Sequence, residues 1–114
     1  MSQALTAFEH EYRAVITGGW LEPAELFRLG ALADDVFGES RGANRVLAYV
    51  LRSIFLDLAR RLEGEPVSPE LGYFLKTLNA PIEAAIIGLK RPLTEETAAH
   101  MAIKLLDGRR SFLA

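Results

Sequence analysis

Residues 43–63, ANRVLAYVLRSIFLDLARRLE, constrain the fold more than any other part of the sequence. At about 100° per residue they form one helix of roughly six turns. Asp57 and Arg61 are spaced to form an i,i+4 ion pair on it. Its apolar residues fill about half of the circumference, whereas a surface helix needs a stripe only a little wider than ~100°. This helix therefore has to be covered on several sides, by the rest of the chain or by a second copy. The apolar arc comprises Val46, Leu47, Val50, Leu51, Ile54, Phe55, Leu58 and Leu62.

Two shorter helices are predicted ahead of this segment. Residues 2–17 carry apolar side chains at steps of three and four, and a glycine pair ends that helix because glycine readily adopts the left-handed conformation. Residues 23–37 begin with a proline, which suits the first helical position, and carry a second apolar stripe. The segment 38–42 is then a short turn into the long helix.

Two further helices are predicted after it. Ser68 and the proline that follows form a helix-start signal, and residues 69–89 keep one helical phase throughout. Pro81 lies in the middle of this helix, lacks a backbone N–H and clashes with the preceding turn. The unbroken phase fits either a kink or two nearly coaxial halves. A last helix opens near residues 92–94 and ends at Gly108, which leaves a short tail.

The fold class that follows is all-α, a bundle of about five helices in which residues 1–114 form a single domain. Half of the residues are hydrophobic, there is no cysteine, and the net charge is −2. Disulfides, thiolate metal sites and cysteine nucleophiles are therefore excluded, and no general basic field attracts nucleic acid or anionic membranes. Because the chain shows neither a signal-peptide pattern nor a run of ~20 apolar residues, we expect a cytoplasmic protein.

The segment 38–42, GESRG, matches the G-x-S-x-G motif of α/β-hydrolases. In those enzymes the serine stands on a sharp turn between a strand and a helix. The residues before Ser40 form an amphipathic helix instead, and no strand is predicted anywhere. We therefore interpret the segment as a turn between helices, with Ser40 as a candidate cap.

The remaining titratable residues give no pattern typical of catalysis or metal binding. His10 and His100 are the only histidines, each points away from the apolar stripe of its helix, and no His-Glu-x-x-His or Glu-x-x-His occurs. Asp34 and Asp35 are adjacent on a helix, so their carboxylates diverge instead of sharing a substrate. We expect no catalytic residue, no metal site and no cofactor.

A helix-turn-helix within residues 23–63 is the alternative interpretation. Arg41 and Arg45 would then lie near the start of the second helix, where base contacts are made. The long apolar arc of that helix and the acids spread along the chain disfavour binding to nucleic acid. A helical bundle that binds a small ligand is the third hypothesis.

Surplus apolar side chains carry the leading hypothesis. Several large residues lie off the main stripes of their helices or in a connection, and aromatic residues are enriched at interfaces. We therefore predict a non-enzymatic protein that acts through protein–protein contact, as an assembly factor, adaptor or inhibitor, and that forms a homodimer. Tyr49 and Leu56 are the hardest to place inside one chain. The predicted partner interface comprises Trp20, Phe27, Tyr49, Leu56, Tyr73 and Phe112.

Overall fold

The computed structural model describes residues 2–19, 21–63 and 71–113, which form five helices and no strand. The all-α bundle is therefore confirmed, and the first three helices begin and end within two residues of the predicted bounds. The helices are α1 (Gln3–Gly18), α2 (Pro23–Glu39), α3 (Ala43–Leu62), α4 (the contiguous parts Leu71–Phe74, Leu75–Asn79 and Ala80–Gly88) and α5 (Glu95–Leu113).

The helices alternate in direction along the chain. In the α1–α2, α2–α3 and α4–α5 hairpins, contacts join the start of one helix to the end of the next, as antiparallel packing requires. Helix α5 runs parallel to α3, because Asn44 binds the backbone of Leu93 at one end of the bundle and Asp57 binds Arg109 at the other. The hairpin contacts are Ser2 with Glu39 and Glu11 with Arg28 for α1–α2, Phe37 with Tyr49 and Asp34 with Arg52 for α2–α3, and Gly88 with Met101 and Tyr73 with Ser111 for α4–α5.

Polar contacts between α1 and α4 close the bundle into a ring of helices in the order α1, α2, α3, α5, α4. The Tyr12 hydroxyl donates to Asn79 Oδ1 at 2.7 Å. Arg13 forms an ion pair with Glu83 at 3.2 Å. The first helix is therefore fixed against the fourth, which lies about 70 residues away along the sequence.

An aromatic cluster joins α1 to α3 inside this ring. The Phe55 ring lies edge-on to Phe8 at 5.6 Å and to Tyr12 at 6.2 Å, an arrangement that adds about 0.5–1.5 kcal/mol per pair beyond the burial of apolar area. All three side chains are fully buried, and none of the described charged residues is. The core is thus an apolar centre to which α3 contributes the most residues, namely Leu47, Ala48, Leu51, Ile54, Phe55, Leu58 and Ala59.

The buried face of α3 is rotated relative to the predicted arc. Val46 was expected within the covered arc but is 55% exposed, and Val50 is only partly buried. Ala48 and Ala59 are fully buried instead. Alanine contributes little to a hydrophobic pattern, so the pattern alone does not predict that these residues are buried. The small alanine side chain lets a neighbouring helix approach closely, and the buried face therefore includes the alanines.

Pro81 does not reverse the chain. Residues 71–88 are helical throughout, and the turn before the proline, Leu75–Asn79, is a π-helix. Because Pro81 has no N–H to donate to the preceding turn, the wider turn accommodates it within one helix. The predicted start signal at Ser68 lies outside the described residues.

The prediction that α5 ends at Gly108 is wrong, because the helix continues to Leu113. Gly108 is required instead for close packing, since a Cβ at this position would lie 2.5 Å from the Thr77 carbonyl oxygen of α4. The absence of a side chain lets the two helices meet backbone to backbone. The residues expected to form a short tail therefore belong to the last turns of the helix.

Two local predictions around α3 are also corrected. Ser40 does not cap α3, whose N-cap is Gly42 with φ of 60°; the Ser40 hydroxyl donates backwards to the Val36 carbonyl at 2.6 Å. Asp57 pairs with Arg109 at 2.6 Å instead of with Arg61. The turn lets α3 leave α2 in a conformation that favours glycine, and the ion pair joins α3 to α5.

Candidate functional site

The structure distributes the predicted interface residues over separate surfaces. Tyr49 is 51% exposed and Tyr73 is 42% exposed, on α3 and α4 respectively. Phe27 is partly buried against the core. Leu56 is partly buried and lies over Gly30 of α2, where a Cβ would come within 2.5 Å of the Leu56 side chain. Trp20 lies outside the described residues.

We define the Tyr49 face as Asp34 and Phe37 on α2 together with Arg45, Val46, Tyr49 and Arg52 on α3. The Tyr49 ring lies 5.8 Å from the Phe37 ring. The Arg45 guanidinium stacks over Phe37 at 4.0 Å and donates to the Phe37 carbonyl at 3.3 Å. Arg52 lies 5.9 Å from the Tyr49 ring and forms an ion pair with Asp34 at 2.9 Å. On this exposed face, the Phe37 ring is thus in contact with the Arg45 cation and the Tyr49 ring with the Arg52 cation.

These contacts bear on the helix-turn-helix interpretation. The guanidinium of Arg45 is engaged with the Phe37 ring and carbonyl, so binding a base edge would require it to leave both. Arg41 is exposed at the end of the bundle. The helix that would read the groove is also packed against α2 and α5 along its buried face.

Tyr73 and Phe112 form a second aromatic surface at the end of α4 and α5. Their rings stack at 5.9 Å with an interplanar angle of 27°, and Phe112 also meets Phe74 edge-on at 5.8 Å. The Tyr73 hydroxyl donates to the Ser111 carbonyl at 3.0 Å. These contacts fasten the two helices to each other.

The titratable groups with shifted pKa values lie at contacts between helices. The Arg13 and Lys90 side chains bind the Glu9 carboxylate and lower its pKa. Partial burial, with Glu22 and Glu11 nearby, raises the pKa of Glu25. His10 and His100 are both exposed. Among residues 2–19, 21–63 and 71–113, no three histidine or acidic side chains cluster closely enough to hold a metal ion.

Two concave regions were not identified from the sequence. An open groove of about 710 Å³ between α4 and α5 is lined by small and apolar residues, with His100 and Lys104 among its polar ones. A cleft of about 530 Å³, which we call the arginine cleft, lies where α3 and α5 end. Its sequence signal is the pair of Arg-Arg doublets at 60–61 and 109–110, but only the parallel packing of α3 and α5 brings the doublets together. The cleft is lined by Asp57, Arg60, Arg61, Arg109, Arg110 and Leu113.

Comparison of the chain with family models, curated proteins and solved structures finds no match. In the part of the chain that the structure describes, no helix has both the length and the hydropathy needed to cross a membrane. A proposal about function therefore depends on the surfaces themselves.

Proposed function

We propose that this protein is non-enzymatic and acts through protein–protein contact at the Tyr49 face, with a second copy of itself as the partner. The observation that carries the proposal is the placement of Tyr49, which is half exposed yet flanked by Phe37 and Arg52. Tyrosine and arginine are enriched among the residues that dominate binding energy at interfaces. Such a face suits an assembly factor, an adaptor or an inhibitor. The absence of cysteine from the chain is consistent with the cytoplasm, where disulfides are rare.

The bracing of Tyr49 supports this use of the face. A side chain that binds a partner loses rotamer freedom, which costs about 0.5–1.5 kcal/mol for each immobilised long side chain. The Phe37 ring on one side and the Arg52 guanidinium on the other already restrict the Tyr49 ring. Arg52 is itself held by Asp34. Less conformational entropy therefore remains to be lost when a partner covers the ring.

Charge argues for a second copy as the occupant. The α2 side of the face carries Asp34, and the α3 side carries Arg45 and Arg52. In a symmetric dimer whose two-fold axis runs between α2 and α3, the acidic side of one copy meets the basic side of the other. Val46, which is 55% exposed on the same helix, supplies apolar area beside Tyr49.

The mass of the protein in solution tests the proposal. We expect sedimentation equilibrium to give about twice the chain mass of 12.6 kDa, and Tyr49→Ala to return the mass to that of one chain. Tyr73→Ala is the matched control, since it removes the same side chain at a similar exposure from a different surface. Circular dichroism verifies that both variants remain folded.

Two results would contradict the proposal. The first is a wild-type protein that stays monomeric at roughly 100 μM. Even a weak dimer of micromolar Kd is populated at this concentration, so that result would contradict the homodimer. A dimer that survives Tyr49→Ala and dissociates with Tyr73→Ala places the interface at the end of α4 and α5 instead.

A further inference from the structure

The arginine cleft gathers positive charge in a chain whose net charge is negative. Arg60 and Arg61 come from the last turn of α3, and Arg109 and Arg110 come from near the end of α5. Among the described residues that line it, Asp57 is the one acid. We propose that this cleft binds the polyphosphate group of a small ligand.

Stabilisation of the C-termini of α3 and α5 accounts for only part of the positive charge of these arginines. Basic residues in a last turn stabilise a helix because the C-terminus carries about half a negative charge. Two such termini together carry about one negative charge against four guanidinium groups. Among the lining residues that the structure describes, Asp57 is the one acid. A site with excess positive charge and many N–H donors is suited to an anion with several oxygens.

Arg109 is already oriented for binding. Its guanidinium donates to the Asp57 carboxylate at 2.6 Å, and both side chains are only about one-third exposed at 34% and 39%. A planar guanidinium offers five N–H donors in a fixed fork, so a single carboxylate contact leaves other donors available. Asp57 therefore serves as a positioning residue that keeps one arginine directed along the cleft.

Arg60 and Arg61 supply guanidinium groups that pair with no acid in the described part of the chain. Both are exposed, and neither forms an ion pair within the described ranges 2–19, 21–63 and 71–113. Arg110 contacts Asp107 at 3.7 Å, but the two side chains are 79% and 60% exposed, so water weakens this pair. Among the contacts of the described residues, an entering phosphate group would displace this weak pair and solvent.

The size of the cleft favours a small ligand. Its volume of about 530 Å³ lies within the range of about 300–1,000 Å³ that is typical of small-molecule sites. Leu113 adds an apolar wall beside the guanidinium groups, which an uncharged part of the ligand can contact. A nucleoside triphosphate and free inorganic polyphosphate share the required chemistry, and the experiment separates them.

Isothermal titration with sodium tripolyphosphate, ATP and adenosine at a fixed ionic strength of about 0.1 M tests the proposal. We expect both phosphates to bind with a stoichiometry of one per chain and adenosine not to bind. The double variant Arg60→Ala, Arg61→Ala should weaken binding at least roughly tenfold, because charge-assisted hydrogen bonds are lost. ATP that binds more tightly than tripolyphosphate identifies a nucleotide site, and equal affinities identify a site for the polyphosphate group alone.

The matched control is Arg41→Ala, Arg91→Ala, which removes the same charge from the opposite end of the bundle. Binding to this control should stay within about twofold of wild type, since charges that far apart are largely screened. Equal losses in the two double variants would show a general charge effect and overturn the proposal, as would the absence of binding at ~1 mM phosphate ligand. Tyr49→Ala should leave binding unchanged, so this test is independent of the proposed dimer.

Discussion

Gly108 shows at the scale of one residue how a backbone contact can determine helix packing. A methyl group at this position would lie 2.5 Å from the Thr77 carbonyl oxygen, which is backbone and cannot move aside as a flexible side chain can. Thr77 itself lies in the π-helical turn of α4. The interface between α4 and α5 is therefore set by the absence of a side chain.

We predict that Gly108→Ala destabilises the protein by roughly 1–3 kcal/mol, the usual cost of overpacking. This outcome opposes the gain of up to about 1 kcal/mol that alanine normally gives over glycine within a helix. Gly38→Ala in α2 is the control, because a Cβ there meets nothing within 4 Å and the variant should be as stable as wild type or more so. Urea denaturation measures both, and stabilisation by Gly108→Ala would show that α5 can move away from α4.

The sequence could not distinguish these roles of glycine. A glycine after an apolar stripe is a standard helix-end signal, and Gly19 has that role with φ of 84°. Gly108 presents the same signal, but its partner Thr77 is about 30 residues away along the chain, and no local pattern reports that contact. The positions of α1, α2 and α3 were predictable because their stripes and boundary residues are local.

Helix α3 shows the same limit for a whole element. Its existence and length follow from the pattern at 43–63, but the pattern placed Val46 in the covered arc and gave Ala48 no role. The packing of α2 and α5 against α3 decides which face is buried. This rotation also separated Tyr49, which remains exposed, from Leu56, which Gly30 accommodates.

Two isoleucines test the assignment of buried faces. Ile54 on α3 is fully buried and Ile87 on α4 is 56% exposed. We expect Ile54→Ala to lower the free energy of unfolding by roughly 2–5 kcal/mol, because it removes core contacts and leaves a cavity. The chemically identical change Ile87→Ala should stay within about 0.5 kcal/mol of wild type. Similar losses in the two variants, measured by chemical denaturation, would mean that α4 presents a different face to the core.

The closure of the ring determines the properties of the whole molecule. A radius of gyration of 13.2 Å is what one compact domain of this length gives. Tyr12 is central to this closure, because its ring joins the cluster with Phe8 and Phe55 while its hydroxyl reaches Asn79. The apolar stripe of residues 2–17 predicts a buried face on α1, but the partner of Tyr12 on α4 depends on how distant helices meet.

Closure makes the stability sensitive to alkali. Burial, helped by the nearby Glu83 carboxylate, raises the pKa of the Tyr12 phenol above its ordinary value of 10.0. The unfolded chain then loses this proton more readily, so the contribution to stability is complete below about pH 10 and is lost as the pH rises toward the folded pKa. Between pH 9 and pH 11, we expect the free energy of unfolding of the wild type to fall by about 1 kcal/mol more than that of Tyr12→Phe. Urea denaturation at both pH values measures this, and equal losses would mean that Tyr12 is hydrated.

The odd number of alternating helices has a geometric consequence. Helix α1 begins at the end of the bundle where α2 finishes, whereas α5 finishes at the opposite end, beside the end of α3. The longest dimension of the molecule is 40 Å. Fluorophores attached at Ser2 and Leu113 would therefore be held far apart by a continuous stack of helices. The distance between two such fluorophores would report the length of the bundle.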